Sequence, residues 1–155
     1  MSDLEVRIVK LEPMRVAAAL GFGPSPEDEA WSRILAYAKA NNLVTEPDDG
    51  ARFYGFNNPD PSPGSPNYGY EQWLVVDGSM KDTEEIEIKN FEGGLYAVTR
   101  CDSLEVIGET WQALVAWRED SPHRRGHHQW LENQLNSPTN SIGSPFFDLY
   151  LPIAE

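Results

Sequence analysis

Glu71 stands two residues before Trp73 in the stretch YGYEQWLVVD, Tyr68 to Asp77. Its aromatic and β-branched content predicts a β-strand. In an extended chain, side chains alternate, so Glu71, Trp73 and Val75 share one face and Tyr70, Gln72, Leu74 and Val76 the other. Leu74 and Val76 call for a packed core, which leaves a carboxylate beside an indole on the opposite face. That pairing suits an aromatic, cationic or electrophilic small molecule, since both the ring face and the carboxylate attract positive charge. A second acidic and aromatic pair, Asp148 and Tyr150, lies in FFDLYLPI near the C-terminus. There Phe147, Leu149, Leu151 and Ile153 alternate onto the core side.

Other chemistries have weaker support. Pro122 and Gly126 break any regular spacing among His123, His127 and His128, and no cysteine or paired carboxylate completes a tetrahedral set. No GxSxG motif marks a nucleophile elbow. Gly21-Phe22-Gly23-Pro24 reads as a turn and not as a phosphate loop. The single cysteine, Cys101, has no internal partner and suits a small buried position. Neither a metal nor a cofactor is expected.

The 155 residues suffice for one domain with a real core. A net charge of -13 opposes phosphate backbones and anionic lipid headgroups, so no direct nucleic-acid or membrane binding is expected. No apolar run reaches the length of a membrane span, and the N-terminus has no signal-peptide core, so a cytoplasmic location is expected. Composition gives no oligomeric state.

Elements to hold these residues can be read along the chain. Leu4 to Leu11 predicts a strand interrupted by Pro13 and resumed from Val16 to Leu20. A helix is expected from Pro26 to Ala40, with Ser25 as N-cap, acidic residues in its first turn and Asn41-Asn42 as its stop. Its apolar face is Ala30, Trp31, Ile34, Leu35 and Ala38. Arg52 to Asn57 reads as a short strand, and Asn58 to Asn67 as a loop opening onto the Glu71 strand. Glu85 to Arg100 predicts two strands hinged at Gly93-Gly94. A second helix is expected from Val106 to Arg118, a short third one from His127 to Leu135, a loop from Ser137 to Pro145 and a last strand from Phe146 to Ile153. Trp31 and Trp111, on the helices' apolar stripes, are read as core.

The two halves, about residues 5–77 and 84–153, resemble each other. At one constant offset Ile8 meets Ile88, Glu12 meets Glu92, Ala17 meets Ala97 and Trp31 meets Trp111. Glu71-Gln72-Trp73 sets over Asp148-Leu149-Tyr150. The expected fold class is therefore α+β: a duplicated strand-helix-strand-strand unit forming an antiparallel sheet, with helices on one face and a ligand cleft on the other.

In order and spacing, YGYEQWLVV, FEGGLYAVT, IGETWQALVAW, HQWLENQL and FFDLYLPI resemble the GyrI-like small-molecule-binding domain family, also found as the effector-binding domain of AraC-type and MerR-type multidrug-sensing regulators. The resemblance implies binding of lipophilic aromatic or cationic compounds around a central glutamate with aromatic walls, a position that Glu71 matches. Ligand contacts are then expected at Glu71, Trp73, Tyr96, Trp130, Glu132, Asp148 and Tyr150. Asp148 stands where many members carry a longer glutamate. The YGYE and QWLE segments also resemble a standalone branch that hydrolyses cyclopropane-bearing DNA-alkylating compounds. On that reading Glu71 would be the catalytic base, Trp73 and Trp130 stacking walls, and Tyr150 or Tyr96 a hydrogen-bond donor. A third class, an acidic protein-interaction module of gyrase-inhibitor type, fits the charge but not the pocket motifs.

Overall fold

The computed structural model describes residues 4–43, 53–57, 68–76, 78, 82–83, 86–135 and 146–154. The expected loops at residues 58–67 and 137–145 lie outside them. The described residues form an α+β fold with two α-helices and eight antiparallel β-strands. The chain divides into two compact units, residues 14–91 and residues 1–13 with 92–155.

In the unit of residues 14–91, strands β2 (Met14–Gly23), β3 (Phe53–Asn57), β4 (Tyr68–Val76) and β5 (Glu87–Phe91) run in the order β3-β4-β2-β5. Helix α1 (Pro26–Ala40) has the bounds its sequence signals predict. Proline sits in its first turn beside Glu27, Asp28 and Glu29, which complement the positive end of the helix dipole. Ser25 is the N-cap, though its side chain makes no capping hydrogen bond. The helix stops in a Schellman arrangement. Asn42 takes a left-handed φ of 57° and its N–H bonds to the Lys39 carbonyl, while the Leu43 N–H reaches the Ala38 carbonyl. Ile34, Tyr37 and Ala38 pack onto Ala17, Ala19, Phe53 and Leu74, so one sheet face is closed by α1.

In the other unit, β1 (Arg7–Leu11), β6 (Gly94–Cys101), β7 (Leu131–Gln134) and β8 (Phe147–Ile153) run in the order β1-β6-β8-β7. Helix α2 (Ile107–Glu119), preceded by a 3-10 turn at Leu104–Val106, buries Leu114 against Ala97, Phe147, Leu149 and Leu151. Cys101 lies in the same cluster, and its thiol donates to the Ser103 carbonyl. The predicted hinge before β6 is confirmed: Gly93 has φ +81°, and a Cβ there would come within 2.1 Å of the Leu11 carbonyl oxygen.

One element differs from expectation. Residues 127–135 do not form a helix; Leu131–Gln134 is strand β7, paired with β8 through Leu131↔Tyr150 and Gln134↔Phe147. Trp130, Leu131 and Leu135 fit helical spacing, but the stretch holds Asn133 and Gln134 and is short. The hydrogen-bond ladder to β8 outweighs its weak local preference.

Candidate functional site

Register assigns the faces in the unit of residues 14–91. Glu71 lies opposite Leu20 and Phe56, and Trp73 opposite Ala18 and Tyr54. Leu74, on the other face, lies opposite Ala17 and Phe53, which pack against α1. Glu71 and Trp73 therefore stand on the sheet face away from α1. On β5, Lys89 and Phe91 pair with Val16 and Met14, which puts them on the same face as Glu71.

The Glu71 side chain is only 4% exposed. Its Oε2 accepts the Trp73 indole N–H at 2.6 Å and forms an ion pair with Lys89 Nζ at 2.8 Å. The Trp73 ring meets Phe56 edge-on, with centroids 5.0 Å apart, and is tilted against Phe91 at 5.2 Å. The arrangement is a buried, charge-paired carboxylate along a run of three aromatic rings. The indole donor orients the carboxylate, and the rings give an apolar, polarisable surface beside it.

In the other unit, Tyr96, Asp148 and Tyr150 share the face away from α2. Asp148 is opposite Arg100 and Tyr150 opposite Val98, whereas the flanking Phe147, Leu149 and Leu151 pack with Leu114. The Tyr96 and Tyr150 rings meet edge-on at 5.4 Å. The single hydroxyl hydrogen of Tyr96 goes to the Gln129 carbonyl. Asp148 is held at both oxygens, Oδ1 by Arg100 Nε and Oδ2 by Arg7 Nη2, each at 2.9 Å. Its carboxylate is thus neutralised by two arginines from the strands beside it and in the next row.

Trp130 and Glu132 form a third set. Glu132 pairs with Leu149 and so points to the α2 side, where its Oε2 accepts the Trp111 indole N–H at 3.0 Å. The Trp130 ring lies 5.4 Å from that of Trp111, with the Arg118 guanidinium 5.8 Å from its centroid. A shallow depression of about 390 Å³ runs along Gly126, His127, His128, Gln129 and Trp130. His128 packs edge-on against Tyr96 and contacts the Leu95 carbonyl through Nε2 at 2.8 Å.

Of the seven expected ligand contacts, Glu71 and Trp73 come together in one unit. Tyr96, Asp148 and Tyr150 share a face in the other, and Trp130 and Glu132 sit beside α2. The sequence reading missed Phe56, Lys89 and Phe91. Alternation along IEIKNF puts Lys89 and Phe91 on one face, but their placement near Glu71 depends on β5 pairing with β2, a contact far apart in sequence.

The family model described as Cass2, integron-associated effector binding protein, matches residues 7–153, and the chain belongs to this family. That description makes binding of a small-molecule effector its functional class. No curated protein matches the sequence. Among solved structures, the EcmrR C-terminal domain superposes with a TM-score of 0.75 at 10% identity, covering 99% of each chain. This chain spans 57% of the EcmrR chain solved in a complex with DNA. A hydrolase from Listeria innocua superposes at 0.63 with 12% identity, covering 97% of this chain and 92% of that one. SAV2435 bound to tetraphenylphosphonium superposes at 0.57 with 10% identity, covering 97% and 94%. At these identities the likeness shows the shared fold. Among the described residues, no helix is long and apolar enough to cross a membrane.

Proposed function

We propose that this protein binds lipophilic aromatic or cationic small molecules, with Glu71 as the charged contact and Trp73, Phe56 and Phe91 as the aromatic surface. The observation that carries the reading is the Glu71 carboxylate, almost fully buried and hydrogen-bonded by Trp73 in a row of aromatic rings. Burying a carboxylate is costly, so a position that keeps one beside aromatic rings is suited to meeting a cation. The family description supports small-molecule binding, and the tetraphenylphosphonium carried by one structural neighbour supports a lipophilic cation as the ligand. The test is titration with tetraphenylphosphonium, followed by tryptophan fluorescence and calorimetry, on the wild type and Glu71→Gln.

Hydrolysis of strained, cyclopropane-bearing electrophiles is the second reading. It is favoured by the buried Glu71 carboxylate, which could act as a base on water, and by a structural neighbour named as a hydrolase. Incubation with such an alkylator separates the two: an enzyme gives many turnovers of ring-opened, water-added product, whereas a binder returns the compound intact.

A further inference from the structure

We propose that Lys89 is the site's internal competitor: its ammonium occupies the Glu71 carboxylate in the unliganded protein and is displaced when a cationic ligand binds. This deepens the reading of Glu71 as the ligand-binding carboxylate and rests on it. Lys89 then sets specificity, since every cation must replace an ion pair that a neutral ligand can leave in place.

The two partners differ in a way that suits exchange. Glu71 is 4% exposed and cannot turn to water, whereas Lys89 is 34% exposed. Lys89 comes from β5, which pairs with β2 and not with β4, so its side chain reaches over β2 to arrive at Glu71. A lysine on a four-carbon flexible stem with a strongly hydrated head can swing into solvent at small cost. The Trp73 indole stays on the same oxygen and keeps the carboxylate oriented as the ammonium leaves. What replaces Lys89 has to be less attached to water than a primary ammonium and has to cover the rings of Phe56, Trp73 and Phe91. A cation whose charge is wrapped in aromatic groups meets both conditions, and a small hydrated alkylammonium meets neither.

Two measurements test this, with tetraphenylphosphonium as the cationic probe and triphenylmethanol as the neutral one. The first compares affinities of the wild type, Lys89→Met and Lys89→Arg. Removing the ammonium should tighten tetraphenylphosphonium binding by about tenfold or more. It should change triphenylmethanol binding by less than about twofold, and Lys89→Arg, which keeps the charge and is less hydrated, should show no gain in tetraphenylphosphonium affinity. The second needs no variant. A water-soluble acetylating ester is applied to wild-type protein with and without saturating tetraphenylphosphonium, and labelling of Lys89 is read by mass spectrometry against Lys10 and Lys39. Displacement should raise Lys89 labelling severalfold while the reference lysines stay constant.

If the cation binds while Lys89 labelling is unchanged or reduced, or if a folded Lys89→Met binds it no more tightly, the competitor role is wrong and the binding site stands. If Lys89→Met does not fold, the labelling result decides alone. If neither the wild type nor a folded Lys89→Met binds tetraphenylphosphonium, the underlying reading of Glu71 fails and this inference falls with it.

Discussion

Breaking the Glu71–Lys89 pair from its two ends should have unequal consequences for stability. The oppositely charged atoms are 2.8 Å apart, but one side chain is 4% exposed and the other 34%. Lys89→Met removes this ammonium from a buried carboxylate. Removing one partner of a fully buried pair costs about 3–5 kcal/mol. The partial exposure of Lys89 screens the attraction and reduces that figure to roughly 2–3 kcal/mol. Glu71→Gln keeps the shape and an acceptor for the Trp73 indole, and the ammonium it releases can turn to water, so the cost should be about 1 kcal/mol or less. The double variant should return to within about 1 kcal/mol of Glu71→Gln, because the stranded charge is gone. Urea denaturation of the four proteins, with unchanged slopes as the check on two-state behaviour, reads these values directly. Equal losses for the two single variants, or a larger loss for Glu71→Gln, would refute the view of Glu71 as the desolvated member of the pair.

Three further expectations follow from the same geometry. Asp148→Asn should cost about 1–2 kcal/mol at low salt and less at high salt, since its arginines are about half exposed, and calorimetric melting at two ionic strengths checks this. The pKa of Tyr37 is raised, first by burial and further by Asp82, with Arg15 opposing. Between its ordinary value near 10 and its raised value the unfolded chain loses this proton and the folded chain keeps it, so the residue's contribution, whole below about pH 10, is lost as pH rises; Tyr37→Phe should therefore lose less stability than the wild type in alkaline urea titrations. Gly93→Ala should destabilise by about 2 kcal/mol or more, seen as a lower denaturation midpoint, because alanine strains a φ of +81° and its Cβ meets the Leu11 carbonyl oxygen.

What could be read from the sequence was local. Helix α1 was legible because Pro26, the acidic first turn and the Asn41-Asn42 stop act within a few residues of their own backbone. The facing of β4 and β8 was legible because alternation needs no knowledge of partners: Leu74 and Leu149 lie in the helix-packed clusters, and Glu71 and Asp148 on the opposite faces. What failed was pairing. Trp130, Leu131 and Leu135 fit helical spacing, and only the ladder to β8 makes Leu131–Gln134 a strand. That choice also turns Glu132 toward Trp111. The arginines on Asp148 and the lysine on Glu71 come from strands whose neighbours are set by tertiary topology, which no spacing within a segment reveals.

The central claim is that the Glu71 carboxylate recognises a lipophilic cation, and calorimetric titration of tetraphenylphosphonium into wild type and Glu71→Gln tests it most directly. The wild type should bind saturably, and Glu71→Gln, with its fold verified by circular dichroism, should bind about 1–3 kcal/mol more weakly. Equal affinity in the two proteins, or no binding by the wild type, would contradict the claim.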